Sequence, residues 1–387
     1  MSVFYKFDKQ NKQVLPNKSS DEKLYQIALT MLPNVGSVLA KNLLAYCGDA
    51  ESVFKTSKAR LEKIPGIGKD RAQGITTANV LKEAEAELGF IDKYNIEALF
   101  FTDEAYPSRL KSVIDVPIML YYKGNAQLNA EKVISVVGTR KATEYGKEIT
   151  QKLISDLAAQ NVLVVSGLAY GIDIAAHNAA LGAELKTIGV LGHGLNTIYP
   201  SQHKSAAKKM VEQGGLLTEY TSTQEMHPAN FPNRNKIIAA LSDATIVVES
   251  DKEGGAVITA NIAYSYNRDV FAIPGKTTDR YSSGCNALIK SLQAKMIESA
   301  TDLMMEMNWD INKETATAGA KQFQLPLNLN EHEQVIYNLL AEKGPLIIDA
   351  ILETTKMEVG TLAKTLLEME INNLLLSLPG KRYKLIG

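Results

Sequence analysis

The sequence predicts an α/β protein: a parallel sheet covered by helices on both faces, with a helical module before it and a small helix-and-hairpin module after it. Three observations predict this. From Ile91 onward short apolar runs alternate with amphipathic stretches, the pattern of strands joined by crossover helices. Before Ile91, apolar residues recur at helical spacing between Pro and Gly turns. After Glu331 the helical spacing returns, and the chain ends in two short apolar runs about a Pro-Gly turn. A length of 387 residues is also more than one compact domain usually holds.

In the first module Leu24, Ile27, Ala28 and Met31, then Val38, Leu39, Leu43 and Leu44, mark helix faces. Between them lie Leu32-Pro33-Asn34-Val35-Gly36 and, later, Ile64-Pro65-Gly66-Ile67-Gly68. With Ala40 and Ala72 following, this is the spacing of two helix-hairpin-helix units, whose glycine turns offer backbone N–H groups to a DNA phosphate without reading sequence. The first unit lacks one glycine. Lys69 and Arg71 add charge beside the second, and Asp70 offsets part of it. Weak contact with duplex DNA and plain packing or protein interaction both fit such a pair.

The core strands are expected at Ala98–Phe101, Ile118–Tyr122, Val133–Val137, Val162–Val165, Thr187–Leu191, Leu216–Thr218, Thr245–Val248 and Val270–Ile273. Helical stretches such as Tyr145–Gln160, Ile172–Leu181 and Ala256–Tyr266 separate them. Asn312–Leu329 is rich in Ala, Thr, Gln and Lys without apolar periodicity and reads as a linker. Beyond it, helices are expected around Val335–Leu340, Ile347–Leu352 and Val359–Met369, then a hairpin about Pro379-Gly380. Three helices and a hairpin make a winged helix. The expected boundaries are therefore 1–90, 91–306, a linker at 307–329, and 330–387.

Charge narrows the function. The chain carries 42 Lys plus Arg against 43 Asp plus Glu, and the balance holds within each part: 17 against 15 in residues 1–125, 19 against 20 in 126–325, 6 against 8 in 326–387. A polycation that binds phosphate through bulk charge is excluded, whereas a local patch is not. The acidic winged helix, with Lys364 and Glu368 on its third helix, favours a protein-interaction or regulatory role. Lys381, Arg382 and Lys384 leave a weak DNA contact as the lesser alternative. At 45 % hydrophobic and 22 % charged, the composition supports a folded core rather than dominant disorder.

Met1–Ser20 has no apolar signal core, and no run of 18 apolar residues occurs, so a cytoplasmic protein without a membrane segment is expected. Cys47 and Cys285 form no CxxC or Cys/His cluster, which predicts two buried thiols and no metal. No cofactor fingerprint is present: GxGxxG is missing after the first core strand and GxxxxGK[ST] is missing throughout.

In an open parallel sheet the binding crevice lies beyond the carboxyl ends of the strands. Glycines crowd those ends here: Gly138-Thr139-Arg140, Ser166-Gly167, Gly171-Ile172-Asp173, Gly192-His193-Gly194, Glu253-Gly254-Gly255 and Pro274-Gly275-Lys276. Such loops let a backbone approach closely, helix starts attract an anion, and Arg140 can fork onto a phosphate. Phe231-Pro232-Asn233-Arg234-Asn235-Lys236 places two cations at a helix start, against the helix dipole, and an anionic ligand would offset that cost. His177 reads as a core residue, whereas His193 is the histidine best placed to face a ligand. No histidine pair has HExxH spacing, and no serine sits in GxSxG.

Taken together, VISVVGTRKATEYG (133–146), VVSGLAYGIDIAAHNAAL (164–181), TIGVLGHGLNTIYP (187–200), FPNRNKIIAALSDATIVVES (231–250), GGAVITANIAYSYNRDVFAIPG (254–275) and SGCNALIKS (283–291) resemble the DNA-processing protein A family, DprA or Smf. The resemblance implies a Rossmann-like domain that binds single-stranded DNA, forms homodimers and helps load the RecA recombinase during natural transformation, without enzymatic turnover. It puts DNA contacts at Gly138, Thr139, Arg140, Arg234 and Lys236, with Ser166, Gly167, Gly254 and Gly255 lining the same pocket. One departure stands out: before Gly-Ile-Asp the family usually has Arg or Lys, and this chain has Tyr170. A ring there could stack on a base or pack on a neighbouring loop.

A rival reading is an enzyme. Glu253-Gly254-Gly255 with Thr259 is loosely similar to the glycine-rich motif of Rossmann-like nucleotide phosphoribohydrolases, in which Glu249 or Glu253 would assist cleavage of an N-glycosidic bond.

Overall fold

The computed structural model describes residues 20–309, 329–372, 374–378 and 380–385. The chain divides into two compact units: one runs through Tyr266 and takes in Val270–Met296, and the other comprises Asn267–Asp269 and the residues from Ile297 onward.

Nine strands of the α/β region form one sheet: β1 Glu97–Phe100, β2 Met119–Gly124, β3 Val133–Val137, β4 Leu163–Ser166, β5 Thr187–Val190, β6 Gly215–Thr218, β7 Ala244–Val247, β8 Asp269–Ala272 and β9 Lys295–Met296. Their order is β1-β2-β6-β5-β4-β3-β7-β8-β9. All eight expected apolar runs are strands. Those from β3 to β7 are buried along their whole length, as strands covered on both faces must be. The pairs β5/β6, β4/β5, β3/β4 and β3/β7 are parallel. At one edge the sheet turns mixed, because β2 runs antiparallel to both β6 and β1. Strand β9 was not expected from the sequence, since Lys295 and Met296 are both exposed and give no apolar run.

Arg109 fixes the approach to the sheet. Its Nε and Nη2 donate to the two carboxylate oxygens of Asp243, each at 2.8 Å, and Asp243 also accepts the Val133 N–H at 3.0 Å. A forked pair of this kind pins the segment before β2 to the start of β3. Helices cover both faces. Ile172–Gly182 and Lys204–Gln213 follow β4 and β5, and Asn230–Leu241 and Gly255–Ser265 stand before and after β7.

The N-terminal helices share one continuous buried cluster with the sheet: Ile27, Leu43, Leu61 and Ile75 join Ile118, Tyr121, Leu191 and Met210. Glu87, on helix Leu81–Tyr94, adds a polar tie by accepting from Ser222 N and Ser222 Oγ.

The two hairpins of this region are copies. Gly36 and Gly68 cap their helices with nearly the same backbone, φ −82, ψ 177 and φ −75, ψ 179. Gly66 has φ +83, and Asn34, at the place of the missing glycine, has φ +58. Asparagine tolerates the left-handed region better than other side chains, so the turn survives.

In the second unit, helices Glu331–Lys343, Ile348–Thr355 and Val359–Ile371 precede strands β11 Leu375–Leu378 and β12 Arg382–Leu385. The strand order β10-β12-β11, with β10 at Leu346–Ile347, completes a winged helix. Ile347, expected in a helix, lies in β10 and pairs with Arg382. The first of these helices starts at a reciprocal cap between Asn330 and Glu333. Pro379 and nearly all of the expected linker fall outside the described residues.

Candidate nucleic-acid interface

The carboxyl ends of β5, β4, β3 and β7 stand side by side, and the loops leaving them are stitched together through backbone. Thr139 N donates to Glu249 O at 2.7 Å, and Ile172 N donates to Thr139 O at 3.2 Å. The loop after β3 is thus held by the loop after β7 and by the start of the helix after β4. Glycine is required where these loops meet. A β-carbon on Gly171, whose φ is +79, would stand 2.1 Å from Thr139 O. On Gly138 it would stand 2.4 Å from Ile172 Cγ1.

Beneath these loops lies Arg234, only 4 % exposed. Its Nη1 donates to Val190 O at 2.7 Å, and its guanidinium rests against Gly167, where a β-carbon would come within 1.9 Å of Nη1. Asp173 faces it across that glycine and accepts the Ala169 N–H at 3.3 Å. Burial pushes the Asp173 carboxyl up from its ordinary range, and the Arg234 charge opposes this. Burial likewise pulls Arg234 down, with Asp173 restoring part of the loss. Arg234 Nε is buried without a partner among the described residues, so the guanidinium keeps a donor in reserve.

The expected site residues separate into groups. Gly138, Thr139, Arg140, Gly167 and Arg234 converge on the edge just described. Arg140 is exposed there and adds to the field at Arg234. Ser166 is buried, donates to Val136 O at 2.6 Å, tying β4 to β3, and its hydroxyl also lies in hydrogen-bonding contact with the Asp173 carboxylate. Gly254 caps helix Gly255–Ser265, a β-carbon on it would meet Ser250 Oγ, and Gly255 opens onto free space.

Lys236 points elsewhere. Residues two apart on a helix do not share a face. While Arg234 turns inward, Lys236 pairs with Asp115 at 2.8 Å, and Asp115 also accepts from Tyr266 Oη. Tyr170 is 41 % exposed, donates to Gln202 Oε1 at 2.7 Å and meets the His203 ring edge-on at 5.0 Å.

The remaining candidates have structural roles. His193 is buried; its ring nitrogens contact Gly194 O and the Tyr199 N–H, and burial lowers its pKa. It shapes the loop from within. His177 is fully buried against Thr187, as expected of a core residue. Cys285 is buried, whereas Cys47 is only half-buried. The Glu249 carboxylate is occupied by the backbone N–H and hydroxyl of Thr143, at 2.9 and 2.5 Å, in front of helix Glu144–Asp156. Asp173 was missed as a site residue, although a carboxylate at a helix start beside glycine loops is a readable sign of a partner cation.

A family model described as DNA recombination-mediator protein A matches residues 97–308, more than half of the chain. The chain belongs to this family, DprA/Smf. A SAM-like helix-hairpin-helix tandem matches residues 27–78, and a DprA winged helix domain matches 321–381. Protein Smf of Synechocystis sp. is 30 % identical over 95 % of this chain and 99 % of its own length. DNA processing protein DprA of Streptococcus pneumoniae is 39 % identical over 54 % of this chain and 73 % of its own. The X-ray structure of the S. pneumoniae protein superposes with a TM-score of 0.62 at 31 % identity, covering 75 % of this chain and 99 % of that one. A DprA structure from Helicobacter pylori, reported for its single-stranded DNA binding mode, gives a TM-score of 0.50 at 28 % identity, over 55 % and 95 % of the two chains. The DprA/Smf family is one of DNA processing, and its three modules account for the architecture. Among the described residues no helix is long and apolar enough to cross a membrane.

Proposed function

We propose that this protein binds single-stranded DNA at the carboxyl edge of the sheet and hands it to the RecA recombinase during natural transformation. The observation that carries the reading is an exposed cation, Arg140, near enough to a buried one, Arg234, to act on its charge, at loops whose glycines allow close approach of backbone. Contacts from such loops go to phosphate and sugar, so binding has little base preference and is strongly salt-dependent. The single-stranded DNA binding reported for the H. pylori relative supports the ligand. The recombination-mediator description of the family supports the hand-over. With few cations at each site, tight binding of a long strand is expected from a homodimer that presents two sites to one strand. The working compartment is the cytoplasm, and the hairpin tandem and winged helix add weak duplex contact or partner contact.

Turnover has no part in this role. The test is a mobility-shift comparison of single-stranded and duplex DNA, on the full chain and on its Arg140→Ala variant. Preference for the single strand, reduced in the variant, is expected, and equal affinity of the two proteins refutes the site. Release of free base from a nucleoside monophosphate, lost in Glu253→Gln, would establish the phosphoribohydrolase-type enzyme instead.

A further inference from the structure

Beyond Tyr170 lies a groove between helices Ile172–Gly182 and Lys204–Gln213, of about 850 Å³. That is within the ~300–1,000 Å³ typical of ligand clefts. Ile174, Asn178 and Leu181 line one wall, and Gln202, His203 and Lys209 line the other. The groove adjoins Tyr170, because Gln202 and His203 of its lining are the two residues that hold that ring.

Its cations are available. Lys209 is exposed and forms no ion pair among the described residues. Lys186, at the groove end, donates only to the neutral amide of Asn125 at 3.3 Å and so keeps its whole charge. Glu212 is the single carboxylate of the lining. Lys186 and Lys209, the two lysines of the lining, carry like charge in one groove, and a polyanion relieves their repulsion.

We propose that this groove is a second segment of the DNA track: a single strand leaving the glycine loops passes over Tyr170 and continues between the two helices. Lys186 and Lys209 meet its phosphates, and Ile174 and Leu181 offer apolar surface to the bases. Asn178 offers an amide to their edges. The inference rests on the single-stranded DNA reading above.

The test uses the full chain with oligo-dT of about 6 and about 20 nucleotides, the first near the low end of the ~4–16 nucleotide site size of a typical single-strand groove and the second beyond it. Lys186→Gln/Lys209→Gln is expected to bind the longer oligonucleotide at least fivefold more weakly. Its log–log salt slope should become shallower by about 1.4, two phosphate contacts' worth. Affinity for the short oligonucleotide should stay within twofold. Parental affinity for the longer strand overturns the proposal, as does an equal loss in Lys152→Gln, whose lysine lies outside the groove on helix Glu144–Asp156. Arg140→Ala separates the two levels. If it loses both lengths while the double lysine variant keeps the longer, only the groove is wrong. If it keeps both, the underlying reading falls and the groove with it.

Discussion

The guanidinium of Arg234 lies against Gly167, on backbone that any side chain would cover: a β-carbon there would stand 1.9 Å from Nη1 and 2.6 Å from the Asp173 carboxylate. Gly167→Ala should therefore act through Arg234. A cost of about 1–3 kcal/mol in stability is expected from the forced shift, with a loss of DNA affinity close to that of Arg234→Ala. The double variant should be no weaker in binding than Arg234→Ala alone, since both changes remove the same contact. Thermal melts and oligo-dT titrations check this, and parental affinity in Gly167→Ala would sink the coupling.

Arg140 and Lys236 should respond differently. Removing the exposed Arg140 is expected to flatten the salt slope for single-stranded DNA by about 0.7, one phosphate contact. Lys236 is already paired with Asp115. Lys236→Ala is thus expected to leave the slope unchanged and to cost at most about 1 kcal/mol of stability, as exposed ion pairs do. A slope change in Lys236→Ala equal to that of Arg140→Ala would return Lys236 to the strand.

At Tyr170, the ring and the hydroxyl can be tested apart. Tyr170→Phe removes only the bond to Gln202 and keeps the ring against His203, so its affinity should match the parent. Tyr170→Ala should lose about 1–3 kcal/mol of binding, the range for one base–aromatic stack. Equal affinities of the Ala variant and the parent would leave the ring a purely structural part of the loop.

His177 gives the fold an acid-sensitive point. It is fully buried, and burial, its first cause, lowers its pKa from 6.5 to about 3, with the Arg234 charge adding to the effect. Below pH 6.5 the unfolded chain takes up a proton that the folded chain refuses. Stability is fully present above that pH and falls towards pH 3, by up to about 1.4 kcal/mol per unit. Denaturant titrations between pH 7 and pH 4 should show a flatter fall in His177→Gln than in the parent. Parallel curves would rule this out.

The sheet was legible because strands buried on both faces, such as Val133–Val137 and Leu163–Ser166, announce themselves as unbroken apolar runs. Direction was not, since Met119–Gly124 is apolar whichever way it runs, and only its pairing makes it antiparallel. The glycine loops showed where the site lies but not which side chains face it. Arg234 and Lys236 look like a pair in sequence, and the helical pitch sends one inward and the other to Asp115. Ser166 and His193 sit among site glycines, yet both are turned into the interior by their hydrogen bonds. Asn34 shows the converse: a residue that breaks the glycine pattern and keeps its backbone geometry.

The grip of Glu87 on Ser222 has a mechanical consequence. Ser222 belongs to the stretch leading into helix Asn230–Leu241, which carries Arg234, so the front helices are joined to the strand-edge site by a short polar strut as well as by shared core. An arm on a loose tether would sweep through many directions and lose whatever bearing its hairpins took. This arm is set in a socket. Whatever the hairpins hold would therefore stand at a fixed angle to whatever lies in the loops, so the first unit sets direction as well as grip.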